Sequence, residues 1–186
     1  MGMSLTAHDA SVGVFVRGLA NLKAQLTKAE AQAAASGRDA ATLLEARLVP
    51  GDGDAVRNAP HDLHTYTLVA HVHWAAEGAT LAMAKLLGEP AVPAASNAQC
   101  LSDLCQRIDA TIADLRKVAA IDIEAGLARP VVIEHRRGSA SADGRTFLLA
   151  FAIPHFFYHV TTAYGILRNQ GVALTMGDFL GNWTDA

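Results

Sequence analysis

Apolar residues return at steps of three and four in four long stretches of the chain, the period of a helix with one buried face. In residues 6–35 the stripe is Val12, Phe15, Val16, Leu19, Leu22 and Leu26. Lys23, Lys28 and Glu30 fall off it, Thr6 lies three residues before Asp9 as a capping start, and Gly37 suits the left-handed stop. Residues 61–87 carry Leu68, Val72, Ala75, Ala79, Met83 and Leu86, ended by Gly88 and Pro90. Residues 97–119 carry Leu101, Leu104, Ile108, Ile112 and Leu115, with Ser96 or Asn97 as cap and Asp103, Arg107, Asp114, Arg116 and Lys117 as the solvated side. The fourth helix, 145–170, is expected to kink or restart at Pro154.

The connections are less regular. A short helix over 39–47 brings Leu43, Leu44 and Leu48 toward the core, and Pro50-Gly51-Asp52-Gly53-Asp54 then breaks the chain as a plain turn. Over 127–143, the β-branched Val131-Val132-Ile133 and the polar run Ser139 to Gly144 predict a short extended segment or hairpin. The tail from Gly171 to Ala186 reads as irregular, with Phe179, Leu180 and Trp183 packing back. These elements predict an all-α protein. It is a four-helix bundle with a short extra helix, and a short extended segment precedes the last helix.

Composition narrows the class. A chain of 186 residues with 51% hydrophobic and 18% charged residues is expected to fold as one domain, 1–186. A net charge of −3 supplies no basic field, so a nucleic-acid partner is not expected. There is no apolar run long enough for a membrane span and no signal-like start, so a cytoplasmic location is expected. Cys100 and Cys105, about 140° apart on a helix, read as free thiols.

Candidate chemistry lies in the eight histidines. His155 and His159 are one helical turn apart in the last long helix, with Thr162 and Ile166 continuing their face. Of His71 and His73, which point about 200° apart, His71 lies nearer the apolar stripe and is expected to face inward. His8 and His135 read as surface residues, and His61 and His64 sit in the first turn of the second long helix. Buried imidazoles need partners. Metal coordination is one way to satisfy them, and hydrogen bonds to Tyr, Thr or water are another.

The run His155-Phe-Phe-Tyr-His159, then Leu167-Arg168 and Gly171 twelve residues after the second histidine, resembles the last helix of DinB-like proteins. Leu68-Val69-Ala70-His71 is similar to the setting of that superfamily's third ligand. Pro154, the run His159-Val160-Thr161-Thr162-Ala163-Tyr164 and the closing Asp178-Phe179-Leu180-Gly181 resemble the DUF1993 family within it. The resemblance implies a DinB/YfiT-like four-helix bundle and a site of His71, His155 and His159 for a divalent metal (Zn, Ni or Fe). Where that family usually has asparagine at 155 and glutamine at 71 and 73, this chain has histidine and so departs toward metal binding. Three neutral imidazoles would leave an open position for water or substrate.

Tyr158, Thr162 and Tyr164 are candidates to orient an imidazole or contact a small-molecule substrate. No general base is evident: Glu77, about 240° past His71, is not expected in the site. The implied activity is that of a metal-dependent hydrolase or thiol transferase. The alternative is a non-catalytic bundle that dimerises or binds a small molecule without metal. A homodimer is expected from the superfamily, and the small residues Ala75, Ala76, Gly78 and Ala79 would suit a helix pairing.

Overall fold

In the computed structural model, residues 5–48, 66–90, 92, 97–135, 138–182 and 184 are described. The Pro50–Asp54 run, His61, His64, Ser96 and Trp183 lie outside them. Four long helices carry the bundle: α1 Val14–Ala35, α2 Leu68–Leu87, α3 Leu101–Leu115 and α6 Ile153–Asn169. Helix α1 packs beside α3 and α6, and α2 completes the ring between α6 and α3, diagonal to α1. All four stripes face the centre. Phe15, Leu19, Leu22 and Leu26 of α1 meet Leu68, Val72, Ala75 and Leu86 of α2, Leu104 and Ile108 of α3, and Phe156, Ala163 and Ile166 of α6, all at most 1% exposed. No helix among the described residues is long and apolar enough to cross a membrane.

Several boundaries differ from the sequence expectation for local reasons. A π-helical turn, Asp9–Gly13, precedes α1, and Thr6 and Asp9 cap it reciprocally, with Thr6 Oγ1 donating to Asp9 Oδ2 at 2.6 Å. The extra helix is a single 3₁₀ turn, Ala40–Leu43, capped by Asp39. Helix α2 begins at Leu68 rather than near residue 61, because Thr67 is extended and its side chain accepts from Ala70 N. The amides of Leu68 and Val69 donate to the Ala46 and Leu44 carbonyls, which ties this start to the first link. Helix α3 starts at Leu101, where Asp103 Oδ2 accepts from the amides of Gln99 and Cys100. Gly88 ends α2 with φ +72, the left-handed conformation expected there.

The region between α3 and α6 holds more structure than its composition suggests. A helix α4, Ala120–Leu127, buries Ile123 and precedes the expected hairpin. That hairpin pairs β1, Pro130–His135, antiparallel with β2, Gly138–Asp143, from Pro130 opposite Asp143 to His135 opposite Gly138. Helix α5, Gly144–Phe147, follows, capped by Asp143 accepting from Thr146 N, and a π-helical turn, Leu148–Ala152, leads into α6. The α-helix thus restarts at Ile153 with Pro154 in its first turn, as expected. The proline has no amide to donate, and the wider turn just before it relieves the clash of its ring with the preceding turn. The tail is also more ordered than expected. Helix α7, Met176–Leu180, is closed by a capping box between Thr175 and Asp178. It is held to α1 by Lys28 Nζ on Asp178 at 2.9 Å and by Asn21 Nδ2 donating to the Phe179 carbonyl.

The small residues of α2 face inward. Ala75, Ala76 and Ala79 are fully buried within the chain, and Gly78 lies against the His155 ring of α6. With the three alanines buried inside the chain and Gly78 against α6, this stripe is used within one chain rather than presented to a second copy. Cys100 and Cys105 are free, as expected.

At the other end of α2, glycine is required by contact rather than conformation. A Cβ on Gly126 would collide with the Leu86 carbonyl, and one on Gly144 with the Gly126 carbonyl. Backbone cannot yield as a side-chain tip can, so overpacking there is costly. Gly126→Ala is expected to lower the unfolding free energy in urea by about 1–3 kcal/mol while leaving far-ultraviolet circular dichroism unchanged. An unchanged urea midpoint would count against this tight three-way contact.

Candidate functional site

Helix α6 places His155 and His159 one turn apart, and both turn toward α2. On α2, Leu68, Val72 and Ala75 set the face against the core, and His71 follows that face inward to 0% exposure. His159 is equally enclosed at 1%, while His155 is half-buried. The three rings form a short row. His71 Nδ1 lies 3.0 Å from His159 Nδ1, and His159 Nε2 lies 3.4 Å from His155 Nε2. His159 is therefore the middle member and turns one nitrogen to each neighbour.

That order has a chemical consequence. A neutral imidazole has one donor and one acceptor, so His159 can donate at one nitrogen and accept at the other. Burial, reinforced by the neighbouring imidazoles, pushes the His159 pKa down to about 3. Burial also lowers His155. His159 is thus held in its neutral form at ordinary pH and His155 is shifted the same way, toward the form that both a hydrogen-bonded row and a metal ion require. Because one imidazole cannot aim both nitrogens at one ion, the row holds at most two ligands for a single ion as its rings stand. Consistently, no group of three or more His, Cys, Asp or Glu among the described residues is arranged to hold a metal ion.

The candidates to orient these rings divide. Tyr158 joins the cluster, its ring centroid 6.1 Å from that of His71 and 5.2 Å from that of His159. The Thr162 hydroxyl donates to the Tyr158 carbonyl of its own helix at 2.7 Å. Tyr164 lies elsewhere, edge-on to Phe179 at 5.4 Å and beside Arg168.

Sequence reasoning missed three neighbours. Tyr66 sits 6.0 Å from His71, ring to ring, and Phe151 stacks on His155 at 5.5 Å with planes 13° apart. Glu77 is the third. It lines a cleft together with His155, although the helical angle from His71 had placed it outside the site. His155 packs at Gly78, one position past Glu77 on α2, so the cleft opens beside His155 rather than beside His71. Arg107, expected on the solvated side of α3, instead turns in to pair with Glu77 at 3.1 Å. His73 faces the same pair. Its pKa is lowered by burial first and by Arg107 next, with Glu77 opposing, and its Nδ1 is buried without a hydrogen-bond partner among the described residues. His8 is partly buried, its Nε2 3.2 Å from the Val118 carbonyl, rather than a surface residue.

The lowered His159 pKa ties stability to pH. Between about 3 and the ordinary 6.5 the unfolded chain binds a proton that the folded chain refuses. The stabilisation is complete above 6.5 and is lost as pH falls through that window, by up to about 1.4 kcal/mol per pH unit for this group. In metal-free protein, urea unfolding at pH 7 and pH 5 is expected to show this loss. His159→Gln should flatten the slope in part, with His155 and His73 keeping the remainder. Equal slopes for the two proteins would contradict a neutral buried His159.

Comparison with known proteins agrees with the architecture. No curated protein matches the sequence. A crystal structure of a DinB family member protein from Shewanella denitrificans superposes with a TM-score of 0.79 at 30% sequence identity, over 94% of this chain and 91% of that one. The fold is thus DinB-like, as the last-helix motif implied. The model of a domain of unknown function, DUF1993, matches residues 7–180, and on that match this chain belongs to the DUF1993 family.

Proposed function

We propose that the imidazole row binds one divalent metal ion between His155 and His159, with His71 as the residue that positions His159. The observation that carries this reading is the contrast between the two nitrogen separations. At 3.0 Å, His71 and His159 are at ordinary hydrogen-bond distance. At 3.4 Å, the two Nε2 atoms are long for a hydrogen bond but close to the roughly 3.3 Å that separates two nitrogens on a tetrahedral zinc ion with bonds of about 2.0–2.1 Å. The donor set also fits: two neutral imidazoles suit Zn²⁺, Ni²⁺ or Fe²⁺.

In this arrangement His159 keeps its proton on Nδ1 and donates it to His71 Nδ1, which fixes the tautomer and presents the Nε2 lone pair. His155 likewise presents Nε2 and carries its proton on Nδ1. Two imidazoles leave at least two positions of a tetrahedral shell for water or for a substrate atom. A bound ion would supply Lewis acidity there, lowering the pKa of a water or thiol, which is the chemistry of a hydrolase or a thiol transferase. Glu77, held by Arg107, is a carboxylate that lines the neighbouring cleft together with His155.

The alternative is a metal-free bundle in which the row is simply a buried hydrogen-bonded chain. Zn²⁺ titration of tag-free, chelator-stripped protein separates the two. One ion per chain is expected, with binding abolished in His155→Ala and His159→Ala and weakened about 10–100-fold in His71→Ala. Loss in His71→Ala as complete as in His159→Ala would make His71 a direct ligand. Unchanged binding in both His155→Ala and His159→Ala would leave the metal-free bundle.

A further inference from the structure

Beside His155 the bundle opens a cleft of about 110 Å³ between the middle of α2 and the run from α5 through the π-helical turn into α6. Its walls include Trp74, Gly78 and Ala82 on one side and Phe147, Phe151 and His155 on the other. The second wall is a staircase of rings. Phe147 and Phe151 lie 5.8 Å apart with planes 23° from parallel, and Phe151 and His155 lie 5.5 Å apart at 13°. Such offset stacking is the preferred arrangement of aromatic rings, and it ends on the imidazole. At the rim, Trp74 is 39% and Phe151 40% exposed, although both could bury large apolar areas. The floor is kept open by a glycine, for a Cβ on Gly78 would come within 3.2 Å of His155 Nδ1.

We propose that this cleft recognises a molecule with one aromatic ring and a single small polar head. The ring lies between Trp74 and the Phe147–Phe151 staircase, and the head reaches His155. Size limits the guest to one ring, since an apolar cavity of about 150 Å³ takes a benzene and this one is smaller with an open rim. The ring-rich walls select a flat aromatic guest over a puckered saturated one. The head is set by what the lining offers: His155 Nδ1–H and the Trp74 indole N–H can donate and the Glu77 carboxylate can accept, so a hydroxyl, which both accepts and donates, suits it. The pocket does not require the metal. It goes beyond the metal reading by naming what would approach His155.

Benzyl alcohol and cyclohexylmethanol share a head and differ in the ring, so they serve as probes. In metal-free protein followed by nuclear magnetic resonance, benzyl alcohol is expected to shift Trp74, Gly78 and Phe151 saturably. It should bind about 3–10-fold tighter than cyclohexylmethanol, the share that aromatic pairing supplies. Ala82→Leu fills the cleft and should weaken benzyl alcohol at least about 10-fold. Trp74→Ala, at the exposed rim, should weaken it without threatening the fold. Zn²⁺ titration of both variants should match the parent protein, so failure of the pocket and failure of the metal site are separate results. Absence of saturable shifts, or unchanged binding in both variants, overturns the proposal. Equal affinity for the two probes overturns its aromatic part.

Discussion

His71 and His159 meet across the α2–α6 interface, Nδ1 to Nδ1 at 3.0 Å, where neither ring is more than 1% exposed. Two imidazoles can occupy such a place only if each satisfies the other, because an unpartnered polar group there would cost about 1–3 kcal/mol. The register of α2 against α6 is therefore constrained by a polar contact as well as by packing. Gly78, against the His155 ring, lets the two helices lie close at this point.

The same closeness orders the surroundings. Once α6 lies against α2, His155 falls at Gly78 rather than beside His71, and its free edge borders the cleft shared with Glu77 and Trp74. Glu77 is buried beside this cleft, and Arg107 of α3 turns in to pair with it. A charge on a nominally solvated helix face is thereby recruited into the protein. Such a pair is retained because removing one partner strands the other, not because it adds much stability. The imidazole row and the cleft lie along the α2–α6 contact, and the ion pair joins α2 to α3 beside them.

The candidate site shows how far spacing reaches. His155 and His159 were legible as a pair because both sit on one helix, where four residues fix a common face. His71 was legible as inward-facing because the apolar stripe of α2 runs beside it. The order of the three rings was not legible. That His159 stands in the middle, with a nitrogen for each neighbour, depends on side-chain rotation and on the axial offset of two helices remote in sequence. Tyr164 shows the same limit. Its helical position does not reveal that α7 returns to cover it with Phe179.

Within helices the chain itself determined most of what was found. Periodic Leu, Val, Ile and Ala residues set the four long helices and their buried faces, and Gly88 and Asp9 set their ends by local hydrogen bonding and backbone freedom. The β-branched run at Val131 and the polar run from Ser139 marked an extended segment or hairpin, and the structure forms the hairpin. Helices α4 and α7 escaped notice because they are only eight and five residues long, too short for a period to stand out. Tertiary structure decided the rest: which helices are neighbours, which nitrogen faces which, and which charges are buried. Those outcomes depend on contacts between residues far apart in the chain, and a one-dimensional pattern records each helix's face but not what that face will meet.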